Sequence, residues 1–266
     1  MFNTGNPTAG KAAPTVSALL DRLAGTLDLQ LDGLRWAASP RVQAVQVAQL
    51  RARAQASAGL NGRIALDASL RDARAAGQTL QTAGLQIDGT RARHTIVLQA
   101  RGDIAPGSGP SEPGQAPHTT HPSPLNLSLR AAGGWLGKTL GWRGQVTALD
   151  NTGNWPIHLQ APAAFALATA PLRLQLSHAA LELGGTGGAG ASSAEPPQGG
   201  VIDIANLDYA PGSLRTAGRL QRVDTAYWLA LADARADAVR SSLVLSGDWD
   251  LDVGASVNGS VALFSA

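Results

Sequence analysis

In Leu27-Asp28-Leu29-Gln30-Leu31-Asp32 every second residue is leucine and every residue between is acidic or an amide. A helix would scatter those leucines around its axis, whereas a strand sets all three on one side and the polar residues on the other. The alternation returns in Leu50-Arg51-Ala52-Arg53-Ala54-Gln55-Ala56, in Ile64-Ala65-Leu66-Asp67-Ala68-Ser69-Leu70, and in Leu125 to Arg130. Further strands are predicted over 142–149, 155–167, 172–183, 201–207, 214–220, 243–253 and 257–264. Roughly a dozen short strands of this kind define an all-β chain of antiparallel type.

Punctuation between the runs supports that class. Asn61-Gly62 suits a tight hairpin turn, and Asp88-Gly89-Thr90 lies between an 85/87 run and a 94/96/98 run that read as one hairpin. Two stretches fit helices: Thr15 to Gly25, where Val16, Leu19, Leu20 and Leu23 share a face, and Thr225 to Ala236. The organisation is therefore a leader over 1–26, β segments over 27–101, 125–183 and 201–266, and loop insertions at 102–124 and 184–200, where Gly, Pro and Ser replace any apolar period.

Composition narrows the partners. With 44% hydrophobic residues among 266, the chain can bury a core, and its 31 Gly and 15 Pro favour turns over long helices. The net charge of +2 is spread thinly, with no basic run interleaved with aromatics, so no nucleic-acid partner is expected. The absence of Cys excludes disulfides and thiolate metal sites. Residues 1–25 lack the basic flank and apolar core of a signal peptide, and no run reaches the roughly 20 apolar residues that cross a bilayer.

Motifs that would carry chemistry fail on context. Gly185-Thr186-Gly187-Gly188-Ala189-Gly190 has dinucleotide-loop spacing but is followed by Ala-Ser-Ser-Ala-Glu-Pro-Pro instead of a helix. Gly137-Lys138-Thr139 has Ala132 where a phosphate-binding loop requires Gly. Asp248, Asp250 and Asp252 open like a calcium loop, but Val253 and Gly259 occupy the positions that need Gly and Glu. His118 and His121 are too few for a metal, and His94 and His158 fall inside strands as structural or surface residues. No catalytic residue, metal or cofactor is expected, and the chain is not expected to be an enzyme. The tryptophans read as rings covering core edges. Leu60-Asn61-Gly62 and Val257-Asn258-Gly259, with Gly-Trp or Gly-x-Trp pairings at Trp135, Trp142, Trp155 and Trp249, form a weak internal repeat.

Taken in order, Leu85-Gln86-Ile87-Asp88-Gly89-Thr90 with His94 and Ile96, Trp142-x-Gly144-x-Val146 with Leu149, Trp155, Pro162-Ala163, Gly247-Asp248-Trp249, and Val257-Asn258-Gly259 with Val261 and Leu263 resemble the TamB family of AsmA-like proteins. The resemblance covers residues 27–264 and marks the chain as an internal piece, since it ends at Phe264-Ser265-Ala266 where that family continues with Arg and a Gly-Asp pair. It implies a periplasmic location, with an inner-membrane anchor in a segment outside this chain. It further implies an elongated sheet curled lengthwise into a taco-shaped or jelly-roll-like groove. Such a groove would conduct phospholipid acyl chains between inner and outer membranes and support outer-membrane biogenesis with an outer-membrane assembly protein of the TamA/BamA type.

The residues expected to face such a groove are Leu29, Leu31, Ile64, Leu66, Ile87, Ile96, Leu98, Leu127, Leu129, Leu159, Leu167, Leu174, Leu176, Leu183, Leu243, Leu245 and Leu251. Alternation alone would assign the same residues to the interior of a closed sandwich. A scaffold that captures outer-membrane protein strands by edge pairing is the other alternative.

Overall fold

Period-two runs this long can satisfy their backbone only by pairing, and short turns make the next run the nearest partner. The computed structural model describes residues 24–36, 45–75, 78–104, 123–136, 141–153, 156–169, 171–184, 199–225 and 242–265. Within them the chain is a curled antiparallel sheet: β1 (Gly25–Trp36), β2 (Val45–Ala56), β3 (Arg63–Ala75), β4 (Gln78–Thr90), β5 (His94–Ile104), β6 (Ser123–Leu136), β7 (Gly141–Asn151), β8 (Ile157–Leu159), β9 (Ala163–Thr169), β10 (Leu172–Leu183), β11 (Gly200–Ala210), β12 (Ser213–Asp224), β13 (Val244–Val253) and β14 (Val257–Ser265). Order in the sheet follows order in the chain, except that β8 and β9 share the place between β7 and β10.

The expected 155–167 strand is thus two pieces, parted at residues 160–162, where Pro162 has no N–H to give to a ladder. The 85–98 hairpin forms as β4 and β5. The Asn61-Gly62 connection is longer than a two-residue turn: Ser57 N–H donates to Arg63 O at 2.8 Å, and Gly62 N–H to Gly59 O at 3.0 Å. Both insertions are trimmed, since β5 and β6 extend to 104 and from 123, and β10 and β11 run to 183 and from 200. The predicted helices lie outside the described residues, apart from their ends at 24–25 and 225. Gly25 opens β1 instead of closing a helix.

Regular pairing lapses at one place on each of several adjacent strands, and the lapses line up. One line passes through Gly33 (φ 69°), Ala48, Asp72 (φ 49°) and Gln81, each skipped between paired neighbours. A second passes through Thr147, the 160–162 break, His178 (φ 56°) and Ala205. A third kink stands at Arg222 (φ 50°), whose N–H donates to Ser246 Oγ at 3.1 Å. Such irregularities bend a strand and sharpen its twist. They also step the alternation by three: Leu70 and Ala73 are half-buried around exposed Arg71 and Asp72, and half-buried Leu220 is followed by buried Val223 after two exposed residues.

The most buried cluster sits astride the second line. Leu159, Ala163 (1% exposed) and Ala179 (2%) gather Val146, Leu149, Leu176, Leu181 and Ile204 around them. A single-layer sheet reaches such burial where it bends towards its own apolar side, so that side is concave here.

At one end of the sheet two turns and the end of β6 stack. Arg91 N–H donates to Gly62 O, Ala92 N–H to Leu60 O and Trp135 N–H to Arg91 O, while Gly134 lies so close that a Cβ would fall 1.9 Å from Ala92 O. We predict that Gly134→Ala destabilises the fold by about 1–3 kcal/mol through overpacking against backbone. Gly84→Ala, with nothing within 4 Å of the added carbon, should be neutral or slightly stabilising. Urea unfolding followed by circular dichroism separates the two.

Candidate functional site

Residues opposite one another on paired strands share a face, so the register traces each surface across the molecule. From Leu29 the partners run Ala52, Ala68, Leu85, Leu98, Leu129 and Leu149. Leu149 and Leu159 join the same cluster, and the row continues through Leu181, Ile202, Leu220, Gly247 and Leu263 to the last strand. With 12 spacings of ~4.8 Å between its 13 strand positions, this row is about 58 Å long. Leu31, Ile64, Leu66, Ile87, Ile96, Leu98, Leu127, Leu129, Leu167, Leu174, Leu176, Leu183, Leu245 and Leu251 occupy parallel rows of the same face or this row itself. Leu243 lies one residue ahead of β13 and is exposed.

Sixteen of the seventeen residues therefore share one face, and Leu243 stands outside a strand. Only Leu159 and Leu183 among them are buried; the others are half-buried or exposed. Among the described residues, the closest contacts between strands all join hydrogen-bonded neighbours. A closed sandwich would bury the leucines of both inner faces between its sheets.

Charge is confined to the other face. Asp28 pairs with Arg53 at 3.2 Å, Arg63 with Asp88 at 3.3 Å, Arg219 with Asp248 at 2.8 Å and Arg215 with Asp252 at 2.6 Å, all across strands. Every strand Asp, Glu, Lys or Arg registers with this polar set, apart from exposed Asp72 and Arg222 at the kinks. The Gln30 and Gln49 amides, at 3.0 and 3.1 Å, hold the Asp32 carboxyl below the ordinary aspartate value. Hydrogen bonds to Asp252 and Asp248, reinforced by their charge, hold Arg215 and Arg219 above the ordinary arginine value. The calcium-like triplet is thus the wet face of β13, with two of its carboxylates engaged by arginines.

His94 and Trp142 make a buried polar contact on the apolar side. Trp142 Nε1–H donates to His94 Nε2 at 2.9 Å, so the ring proton is on Nδ1, which donates to Thr90 O at 3.0 Å. Both ring nitrogens are occupied, and the residue is structural. The Trp142 ring covers Gly133 and Gly144, where a Cβ would come within 2.5 Å of it, and meets Phe165 at 5.9 Å between centroids. Trp249 covers Gly218 in the same way and donates to Thr216 Oγ1 at 3.1 Å. The glycines that each ring covers, Gly133 and Gly144 under Trp142 and Gly218 under Trp249, are not the ones that precede it in the Gly-Trp and Gly-x-Trp pairings of the sequence, and Trp155 lies outside the described residues. His158 Nδ1 lies 2.5 Å from Asp150 Oδ1 on the exposed polar face.

His118, His121, Gly137-Lys138-Thr139 and the Gly185–Gly190 run lie outside the described residues. Among the described residues no three His, Asp or Glu side chains are grouped to hold a metal, and no helix is long and apolar enough to cross a membrane. No family model, curated protein or solved structure matches the chain.

Trp142→Phe keeps a ring over the two glycines but leaves His94 Nε2 without its donor. We predict a loss of about 1–3 kcal/mol, the cost of one unsatisfied buried polar group, in denaturant unfolding.

Proposed function

We propose that the concave apolar face is a groove for phospholipid acyl chains, and that the chain is a segment of a TamB-like conduit spanning the periplasm between inner and outer membranes. The observation that carries this reading is the leucine-rich face itself, continuous across all 13 strand positions, free of charge in its rows, and for the most part half-buried or exposed. A globular core has no use for such a surface left open, since contiguous apolar area of this size marks a site of contact with something apolar.

Acyl chains suit it chemically. Each methylene withdrawn from water gains about 0.8 kcal/mol, so a lipid tail pressed along half-buried leucines replaces one apolar surrounding with another and leaves its head group to the open side. No directional polar pocket is required, because the tail has no hydrogen bonds to satisfy. The row, about 58 Å long, exceeds the roughly 30 Å hydrocarbon thickness of a bilayer. Several tails can therefore lie in series and advance without crossing a charged barrier. In this reading an outer-membrane assembly protein of the TamA/BamA type receives the far end of the full-length conduit, and the anchor is in the inner membrane.

The test is native mass spectrometry with lipid extraction on the chain purified from bacteria. Wild type is expected to carry phospholipid or to take it up from phospholipid vesicles. Leu66→Asp and Leu129→Asp, which put a charge in the rows, are expected to lose it while retaining the wild-type circular dichroism spectrum. Ser128→Asp adds the same charge next to Leu129 on the opposite face and is expected to keep its lipid. Folded wild type without lipid, or equal loss in the Ser128→Asp control, overturns the groove.

A further inference from the structure

Charge is divided unevenly along the chain. Of the 21 Lys and Arg, 15 fall in residues 1–150 and 6 in 151–266, whereas the 19 Asp and Glu divide as 9 and 10. The first part therefore carries a net +6 and the second a net −4, an asymmetry that points to a charged partner. The two parts also pair differently. Arg215 and Arg219 on β12 each stand between two aspartates and are ion-paired, to Asp252 and Asp248. On the polar face of β1 to β5, Arg35, Arg51, Arg71, Arg74 and Arg101 are exposed, and among the described residues no ion pair joins any of them to a carboxylate. The aspartates beside them are held by amides instead: Gln30 and Gln49 donate to Asp32 at 3.0 and 3.1 Å, and Gln81 to Asp103 at 3.2 Å. Asp72 is exposed at its kink, and Arg101 Nε donates to Asn126 Oδ1 at 3.2 Å.

We propose that this arginine face of β1 to β5 docks on a membrane surface rich in anionic phospholipid. The register sets the five arginines in staggered lines. Arg71 and Arg101 share the line Asp32, Gln49, Arg71, Thr82, Arg101, two strands and about 10 Å apart. Arg35 and Arg74 stand likewise on the line Arg35, Gln46, Arg74, Thr79, and Arg51 lies one line in from Arg71. A guanidinium meets phosphate through a fork of parallel donors, and here five such forks stand on one side of the sheet against three aspartates. They are spread over five strands, about 19 Å of exposed sheet, so the partner has to display anions across a broad surface of its own, as a bilayer leaflet does. β2 to β5 contain no Phe, Tyr or Trp, so a nucleic-acid strand finds no ring on which to stack its bases. Side chains alternate between the faces of a strand, so this surface is the reverse of the leucine face, and docking there is independent of whether the groove carries lipid.

The test is flotation of the whole chain with vesicles. Equal parts of phosphatidylcholine and phosphatidylglycerol should carry wild type with the lipid, and phosphatidylcholine alone should leave it behind. Binding should weaken as salt rises, because exposed charges are screened over about 10 Å at 0.1 M. Each arginine near an anionic surface is worth about a fivefold change in affinity, so Arg71→Gln with Arg101→Gln should weaken binding roughly 25-fold with an unchanged circular dichroism spectrum. Arg215→Gln with Arg219→Gln removes the same net charge from β12 and should leave binding as it was. Wild type left behind by both vesicles, equal binding to both, or equal weakening by the two double variants overturns the proposal. Retention on polyglutamate resin without vesicle binding also overturns it, in favour of an acidic protein partner. Uptake of phosphatidylcholine, measured on the same variants, reports separately on the groove.

Discussion

Everything in this molecule depends on cross-strand register being kept across a sheet with one wet and one apolar side. A slip of one residue on any strand would turn its leucines out and its aspartates and arginines in, so each pairing is fixed by the penalty for being wrong. The ion pairs of the polar face add little energy at their exposure, but they meet only in the native register. The glycines under Trp142 and Trp249 act more strictly, since any other residue there would push the ring from its place.

The bends are reconciled with that register by a local device. A strand that simply kinked would invert its alternation; placing one residue in a left-handed or skipped position lets the apolar side resume three residues later. Asp72, His178 and Arg222 accept an uncommon backbone conformation for this purpose, a local strain of order 1–3 kcal/mol that the flanking pairs outweigh. Where the kinks align across neighbours, as from Thr147 to Ala205, the whole sheet folds and the deepest burial follows.

Strand positions, their pairing with sequence neighbours and the composition of each face were legible because alternation is a local signal repeated many times. Leu172–Leu183 came out with its bounds as read, and the leucines chosen by parity share one face. The kinks were also written in the sequence, as the three-residue steps Leu70 to Ala73, Leu176 to Ala179 and Leu220 to Val223, but a search for strict period two reads such steps as strand ends. Hence β3, β11 and β12 run longer than the alternation suggests. The pairing of Trp249 with Gly218 and of Trp142 with His94 was not legible, because each joins residues 31 and 48 positions apart whose meeting depends on every intervening turn. Whether the apolar face is open was illegible in principle, since parity states which side is greasy and is silent on what lies opposite.

The sequential topology bears on how the molecule comes into being. Since almost every strand rests on the one made just before it, ordering needs no encounter between distant parts of the chain, and loop-closure entropy stays small at each step. Assembly can keep pace with synthesis, hairpin by hairpin, and cohesion resembles that of a zip fastener more than that of a droplet: largely a sum of nearest-neighbour terms. Under load or denaturant such a body peels from its ends, losing terminal strands while the creased middle persists.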